Sequence, residues 1–168
     1  MSKSRPDKII DPLELIDTYG TDAVRFFLVT AGTPGNDIKI DAKKAADGKW
    51  QSERIEGARN FANKLWNVTR FVLGKVSAES SVLSAEPATP ALQDRWIIAR
   101  TAQVAADVRK LMDDYQYGEA GKVIYDFIWN DFCDWYVELS KLSLNAAVLV
   151  RTLDTALRLL HPFMPYVT

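Results

Sequence analysis

Cysteine and histidine are almost absent from this chain: Cys133 and His161 are the only ones among 168 residues. One thiol excludes an internal disulfide and fits a reducing compartment. One imidazole argues against a His-rich zinc site and against a Ser-His-Asp set. No Gly-rich phosphate loop of either common type is present. No apolar run is long enough to span a bilayer. The basic start, Met1 to Lys8, is not followed by the apolar segment that a signal peptide requires. A net charge excess is lacking too, at −1, so any case for nucleic acid must rest on local distribution. These absences lead us to expect a soluble, cytoplasmic protein with no membrane partner and no complete active site of its own.

What is present reads as globular, with 48% hydrophobic and 26% charged residues, enough for one good core or two small units sharing an interface. Residues 1–8 are small, polar and basic. Asp11-Pro12 reads as an N-cap followed by proline at the first helical position, opening a helix that buries Leu13 and Ile16 and stops at Gly20. Thr21 or Asp22 then caps a second helix reaching about Ala31. Gly32 to Asp37 predicts a turn, and Ile38-Lys39-Ile40 a short strand whose best local partner is Lys8-Ile9-Ile10. Residues 41–50 read as an exposed connection.

A helix over Glu53–Leu73 organises the rest. Ala58, Phe61, Ala62, Leu65, Trp66, Thr69, Val72 and Leu73 recur at three- and four-residue steps and are expected to face the core. Arg54, Arg59, Asn60, Asn63, Lys64, Asn67 and Arg70 fill much of the remainder. A solubility face usually mixes both signs of charge. Arg, Lys and Asn together suit phosphates and base edges. An ordinary wet face stands beside that reading. After Gly74, residues 75–90 form a surface linker. Three more helices follow, from Ala91 to about Tyr115, from Gly118 to about Leu142, and from Asn145 to His161. Their expected stripes are Leu92, Trp96, Val104, Val108, Leu111 and Tyr115; then Ile124, Ile128, Phe132, Trp135, Leu139 and Leu142; then Leu149, Leu153, Ala156, Leu157 and Leu160. Short links make successive helices antiparallel neighbours. The expected fold is mainly α, an up-and-down helical bundle over 51–168 preceded by a small α/β unit over 1–50.

Asp126, Asp131 and Asp134 share one helix, where carboxylates at such steps can hold a hard metal or move protons. The simpler reading is an amphipathic helix with its acids in water, and no metal site is expected. Trp129, Trp135 and Tyr136 read as core and seam residues.

Five blocks carry a resemblance: Met1-Ser2-Lys3-Ser4 with Ile10-Asp11-Pro12; Tyr19-Gly20-Thr21-Asp22-Ala23-Val24-Arg25-Phe26; Asn60-Phe61-Ala62-Asn63-Lys64-Leu65-Trp66-Asn67; Ile128-Trp129-Asn130-Asp131-Phe132-Cys133-Asp134-Trp135-Tyr136; and Leu157-Arg158-Leu159-Leu160-His161-Pro162-Phe163-Met164-Pro165. In this order they resemble the valyl-tRNA synthetase family, class I aminoacyl-tRNA synthetases, over nearly the whole chain. The resemblance implies a C-terminal fragment: a signature loop and stem-contact unit at 1–50, then an anticodon-binding helical bundle at 51–168. It implies that the intact enzyme activates valine with ATP and magnesium and attaches it to its tRNA. Ser2, Lys3 and Ser4 would be ATP contacts, Lys3 stabilising charge on the phosphates. The leading Lys of the family's Lys-Met-Ser-Lys-Ser signature is absent, and Arg5-Pro6-Asp7 replaces its usual Lys-Gly-Asn. The implied partners are valine tRNA and the enzyme's own catalytic and editing domains, with no DNA. The implied tRNA contacts are Arg54, Arg59, Asn63, Lys64, Asn67 and Arg70, while hydrogen bonds from Arg59, Asn60 and Asn63 to the stem-contact unit are the competing role. The fragment alone is expected to be inactive, with no cofactor. The alternative function is a bundle acting only as a structural or protein-interaction module.

Overall fold

A computed structural model describes residues 10–32, 38, 40–46, 48–78 and 90–168. Asp11 starts α1 (Pro12–Tyr19) as expected, its carboxylate accepting from the Leu13 N–H at 2.9 Å. Gly20 ends it at a φ of 88°, a left-handed position that glycine adopts without strain, and its N–H returns to the Ile16 carbonyl. α1 buries Leu15 and Tyr19, while Leu13 faces solvent and Ile16 is half-buried. α2 (Thr21–Ala31) has no side-chain cap. Asp22 is buried and holds the C-terminal turn instead, accepting from the Val167 N–H at 2.6 Å and the Tyr166 N–H at 3.3 Å.

The strand expected at 38–40 is not formed at Ile38 or Ile40, and Lys8, Ile9 and Lys39 lie outside the described residues. A two-stranded antiparallel ladder lies instead within the stretch read as a connection, where β1 (Lys43–Lys44) pairs with β2 (Trp50–Gln51). Trp50 decides this. Its ring is buried, and its indole N–H donates to the Glu14 carboxylate on α1, which also pairs with Lys44 at 3.2 Å. Those hydrogen bonds, from Trp50 first and Lys44 second, hold the Glu14 carboxyl below its usual range.

The bundle consists of α3 (Glu53–Ala78), α4 (Leu92–Asp113), a continuous rod of α5 (Tyr117–Asp126), π1 (Phe127–Tyr136) and α6 (Val137–Ser140), and α7 (Ala146–Leu160). The π segment explains why a 3.6-residue period misreads the rod. Bonding from i to i+5 widens each turn, so Phe127, Phe132 and Val137 line up inward, as do Ile128 and Cys133. Trp135 and Leu142, expected inside, are 63% and 87% exposed. On α4 the interior residues are Asp94, Ile97, Val104 and Val108, with Leu92 and Trp96 turned outward; Tyr115, expected on the same stripe, lies past the end of the helix and is exposed. The α7 stripe is met at Leu149, Leu153, Ala156 and Leu160, with Leu157 half-buried.

One continuous core runs from Leu15 on α1 to Met164 after α7. Aromatic rings cross the seam between the first helices and the bundle: Phe26 to Phe61 at 5.4 Å, Phe61 to Tyr125 at 4.7 Å, and Tyr125 to Trp129 at 5.5 Å between centroids. Deeper in the bundle, buried Asp94 accepts from Tyr136 Oη at 2.7 Å and Asn145 Nδ2 at 3.0 Å. Burial, then that hydrogen bond to Asp94, raises the Tyr136 phenol far above its ordinary range, so it stays a donor.

Candidate nucleic-acid interface

The direction of α3 is set at its first turn. Ser52 Oγ accepts from the Ile55 N–H at 3.2 Å and donates to Asp41 Oδ1 at 2.6 Å. Burial alone would raise the Asp41 carboxyl, but the Ser52 bond and the Arg54 N–H outweigh it and hold it low. Tyr19 Oη donates to the Trp50 carbonyl at 3.0 Å and accepts from the Ser52 N–H at 2.8 Å. The end of α1, the hairpin and the start of α3 are thereby one hydrogen-bonded joint.

From that joint α3 buries Ile55, Ala58, Phe61, Leu65, Val68 and Val72, a complete row at three- and four-residue steps. Four residues expected within the row fall outside it: Ala62 and Thr69 are half-buried, and Trp66 is 58% and Leu73 56% exposed. The helix also continues past Gly74 to Ala78. Arg59, Asn63, Trp66, Arg70 and Leu73 therefore form one outward stripe, stepping by four and three over about 21 Å. Asn60 and Asn67 lie beside it, also exposed. From Gly57 to Ala78 the helix carries four cations and no acid.

The six candidate contacts divide into two groups. Arg59, Asn63, Asn67 and Arg70 come together on the outer face, and their side chains make no hydrogen bond or ion pair among the described residues. The same holds for Asn60, so no side-chain bond ties Arg59, Asn60 or Asn63 to the described part of the N-terminal unit. Lys64 is drawn aside, pairing with Asp134 at 2.8 Å and standing 3.7 Å above the Trp129 ring. Arg54 lies over the Phe27 ring, 5.0 Å from its centroid. Trp66 is the residue that sequence reasoning missed as a candidate. Its signal was available: the buried row is complete without it, and Asn63 and Arg70 flank it at i−3 and i+4. Ser2, Lys3 and Ser4 lie outside the described residues.

Other clefts offer less to an anion. A groove of about 420 Å³ between α4 and the rod is walled by Leu92, Trp96, Trp135 and Leu139, and its one acid, Asp131, is paired with Arg100 at 2.7 Å. A wider cleft of about 850 Å³ brings Arg109 and Lys110 close to Asp113 and Asp114, so its charge is mixed. Nor do the reactive groups form a catalytic set. Burial pushes the Cys133 thiol up to about 11, and His161 Nδ1 meets Thr168 Oγ1 at 2.8 Å. No group of three His, Cys, Asp or Glu among the described residues could hold a metal ion. No helix among them is long and apolar enough to cross a membrane.

Residues 94–168 match the family model described as the anticodon-binding domain of tRNA ligase. The whole chain is 49% identical over 175 aligned residues to the valine–tRNA ligase of Dehalococcoides mccartyi strain CBDB1. It is 49% identical to that of Symbiobacterium thermophilum and 40% to that of Staphylococcus aureus strain JH9. In each case all of this chain is aligned, and it spans about a fifth of the relative, 18% for the first two and 19% for the third. Among solved structures, the fold is shared with LeuRS of Agrobacterium radiobacter K84 in a ternary complex with tRNA, at a TM-score of 0.73 and 20% identity, over 99% of this chain and 20% of that one. It is shared with free-state methionyl-tRNA synthetase of Mycobacterium tuberculosis at 0.70 and 21%, over 95% and 33%.

Proposed function

We propose, from the premise that this chain is homologous over its whole length to one segment of the valine–tRNA ligases and carries an anticodon-binding domain of tRNA ligase, that it binds valine tRNA through the outer face of α3. The observation that carries this is the state of that face. Arg59, Asn63, Asn67 and Arg70 are exposed, uncommitted to described neighbours and free of acidic company beyond Gly57. Guanidinium groups suit phosphates, and amides suit the edges of unstacked bases.

In the whole ligase this binding would serve the ATP- and magnesium-dependent activation of valine and its transfer to tRNA in the cytoplasm, with Ser2, Lys3 and Ser4 as ATP contacts. These 168 residues alone bind without charging. Valine-dependent exchange of pyrophosphate into ATP by the isolated chain would overturn that statement.

The test of the main reading is binding of the chain to valine tRNA and to an anticodon-changed valine tRNA across a salt series. Affinity that falls with salt, and falls again when the anticodon changes, is expected. Affinity that ignores the anticodon leaves only a basic surface. A second reading, a module for protein contact, is favoured by the exposed groove at Leu92, Trp96 and Trp135. Absence of tRNA binding at low salt from folded protein would favour it.

A further inference from the structure

Among the described residues Trp66 has no structural employment. The inward row of α3 is complete from Ile55 to Val72 without it, and more than half of its surface is open. Its surroundings say what it suits. Asn63 stands one turn before it, Arg70 one turn after, and Asn67 beside it, all exposed. Their side chains make no hydrogen bond or ion pair among the described residues. Trp135 provides the contrast. It is as exposed, but it stands among Leu92, Trp96 and Leu139, an apolar setting. An indole ringed by amides and a guanidinium offers a stacking face, hydrogen-bonding groups and a cation within one helical turn. That combination matches a single-stranded nucleotide, whose base needs a π face, whose edge needs donors and acceptors, and whose phosphate needs positive charge.

We propose that Trp66 is the platform on which one unpaired base of the bound tRNA loop stacks, with Asn63 and Asn67 at that base's edge and Arg70 at its phosphate. This rests on the reading of the α3 outer face as the RNA-facing side and assigns a position to one nucleotide on it. A stack adds affinity without releasing counterions, whereas a phosphate contact does release them. The two kinds of residue therefore leave different signatures in a salt series.

The experiment measures binding of valine tRNA to the wild-type chain and to Trp66→Ala, Trp66→Phe and Arg70→Ala, with circular dichroism confirming the helix content of each. It is repeated with anticodon-loop nucleotides made abasic one at a time. Trp66→Ala is expected to weaken binding roughly tenfold to a hundredfold with an unchanged salt slope. Trp66→Phe should recover most of the loss. One abasic position should cost as much as Trp66→Ala and be indifferent to it, because a stack needs both partners. Binding by Trp66→Ala within twofold of wild type overturns the proposal. So does a Phe variant no better than Ala, or a loss that adds at every abasic position. If the wild-type chain does not bind tRNA at about 50 mM salt, the RNA-facing reading fails first and this proposal with it. Wild-type binding that is insensitive to Trp66 sinks the platform alone.

Discussion

The outer face of α3 and the π1 segment carry similar ingredients and spend them differently. Both have asparagine, tryptophan and formal charge. On π1, Asp131 is paired with Arg100 and Asp134 with Lys64, and Trp129 stacks on Tyr125 beneath the Lys64 ammonium. On α3, Trp66, Asn63, Asn67 and Arg70 are exposed, and the three polar ones are uncommitted to described neighbours. A polar or aromatic residue already engaged with the fold has little left for a ligand. The comparison therefore predicts that substitutions on the rod side cost stability and those on the α3 stripe cost binding.

The largest stability effect should come from the polar knot where π1 meets α4. Asp94→Ala removes the acceptor of Tyr136 Oη and Asn145 Nδ2 and of the Ala91 N–H at 3.2 Å. Leaving a buried hydroxyl and amide without partners is expected to cost about 3 kcal/mol in urea denaturation. A loss below about 1 kcal/mol would mean that the knot does not hold the bundle. The same knot gives an alkaline limit. The folded phenol is raised above its ordinary 10.0, so its contribution is whole below that pH. It is lost as pH rises toward the folded value. Tyr136→Phe should flatten that loss.

A matched pair of tryptophans comes next. Trp129→Ala should destabilise by about 2 kcal/mol, because a half-buried ring packed on Tyr125 and Phe61 is lost. Trp66→Ala should stay within about 0.5 kcal/mol, as exposed substitutions do. Thermal melts compare the two. Equal losses would erase the distinction between the helices.

Much of this was legible in the sequence. The Asp11-Pro12 start, the Gly20 stop, the number of bundle helices and the α7 stripe follow from cap chemistry and a 3.6-residue period. The misreadings have specific causes. Trp135 was placed inside because the period assumed α geometry where the backbone takes π geometry. Trp66 is misplaced because its three- and four-residue spacing admits it to the core face, although Ile55, Ala58, Phe61, Leu65, Val68 and Val72 already supply an unbroken row. The hairpin at Lys43 to Gln51 went unread because it depends on Trp50 reaching Glu14, thirty-six residues away, and no local pattern reports that. The pairing of Lys64 with Asp134 likewise went unread, because nothing near Lys64 in sequence announces it. Charge was readable; the partner that neutralises it was not.

Lys64 and Arg70 test that last point in binding. Arg70→Ala should lower the salt slope of tRNA binding by about 0.7, the value for one phosphate on a single strand. Lys64→Met should lower it distinctly less, because the ammonium is already held by Asp134 and Trp129. Equal changes would return Lys64 to the tRNA face.

The smallest effect reads the same division from inside the bundle, through the only thiol. Burial raises Cys133 to about 11, the Lys64 charge pulls it down, and the Asp134 carboxylate pushes it up. Only the thiolate reacts with iodoacetamide, so at pH 9 about 1% of the thiol is reactive in the folded protein, and alkylation should be far slower than in urea. Lys64→Met withdraws a cation that favours the thiolate, so the thiol rises further and alkylation at a fixed pH slows again. Arg70→Ala, on the outer face of α3, should leave the rate unchanged. If Lys64→Met leaves it unchanged as well, the Lys64 charge is not committed to π1. The two helices would then differ less than their ion pairs indicate.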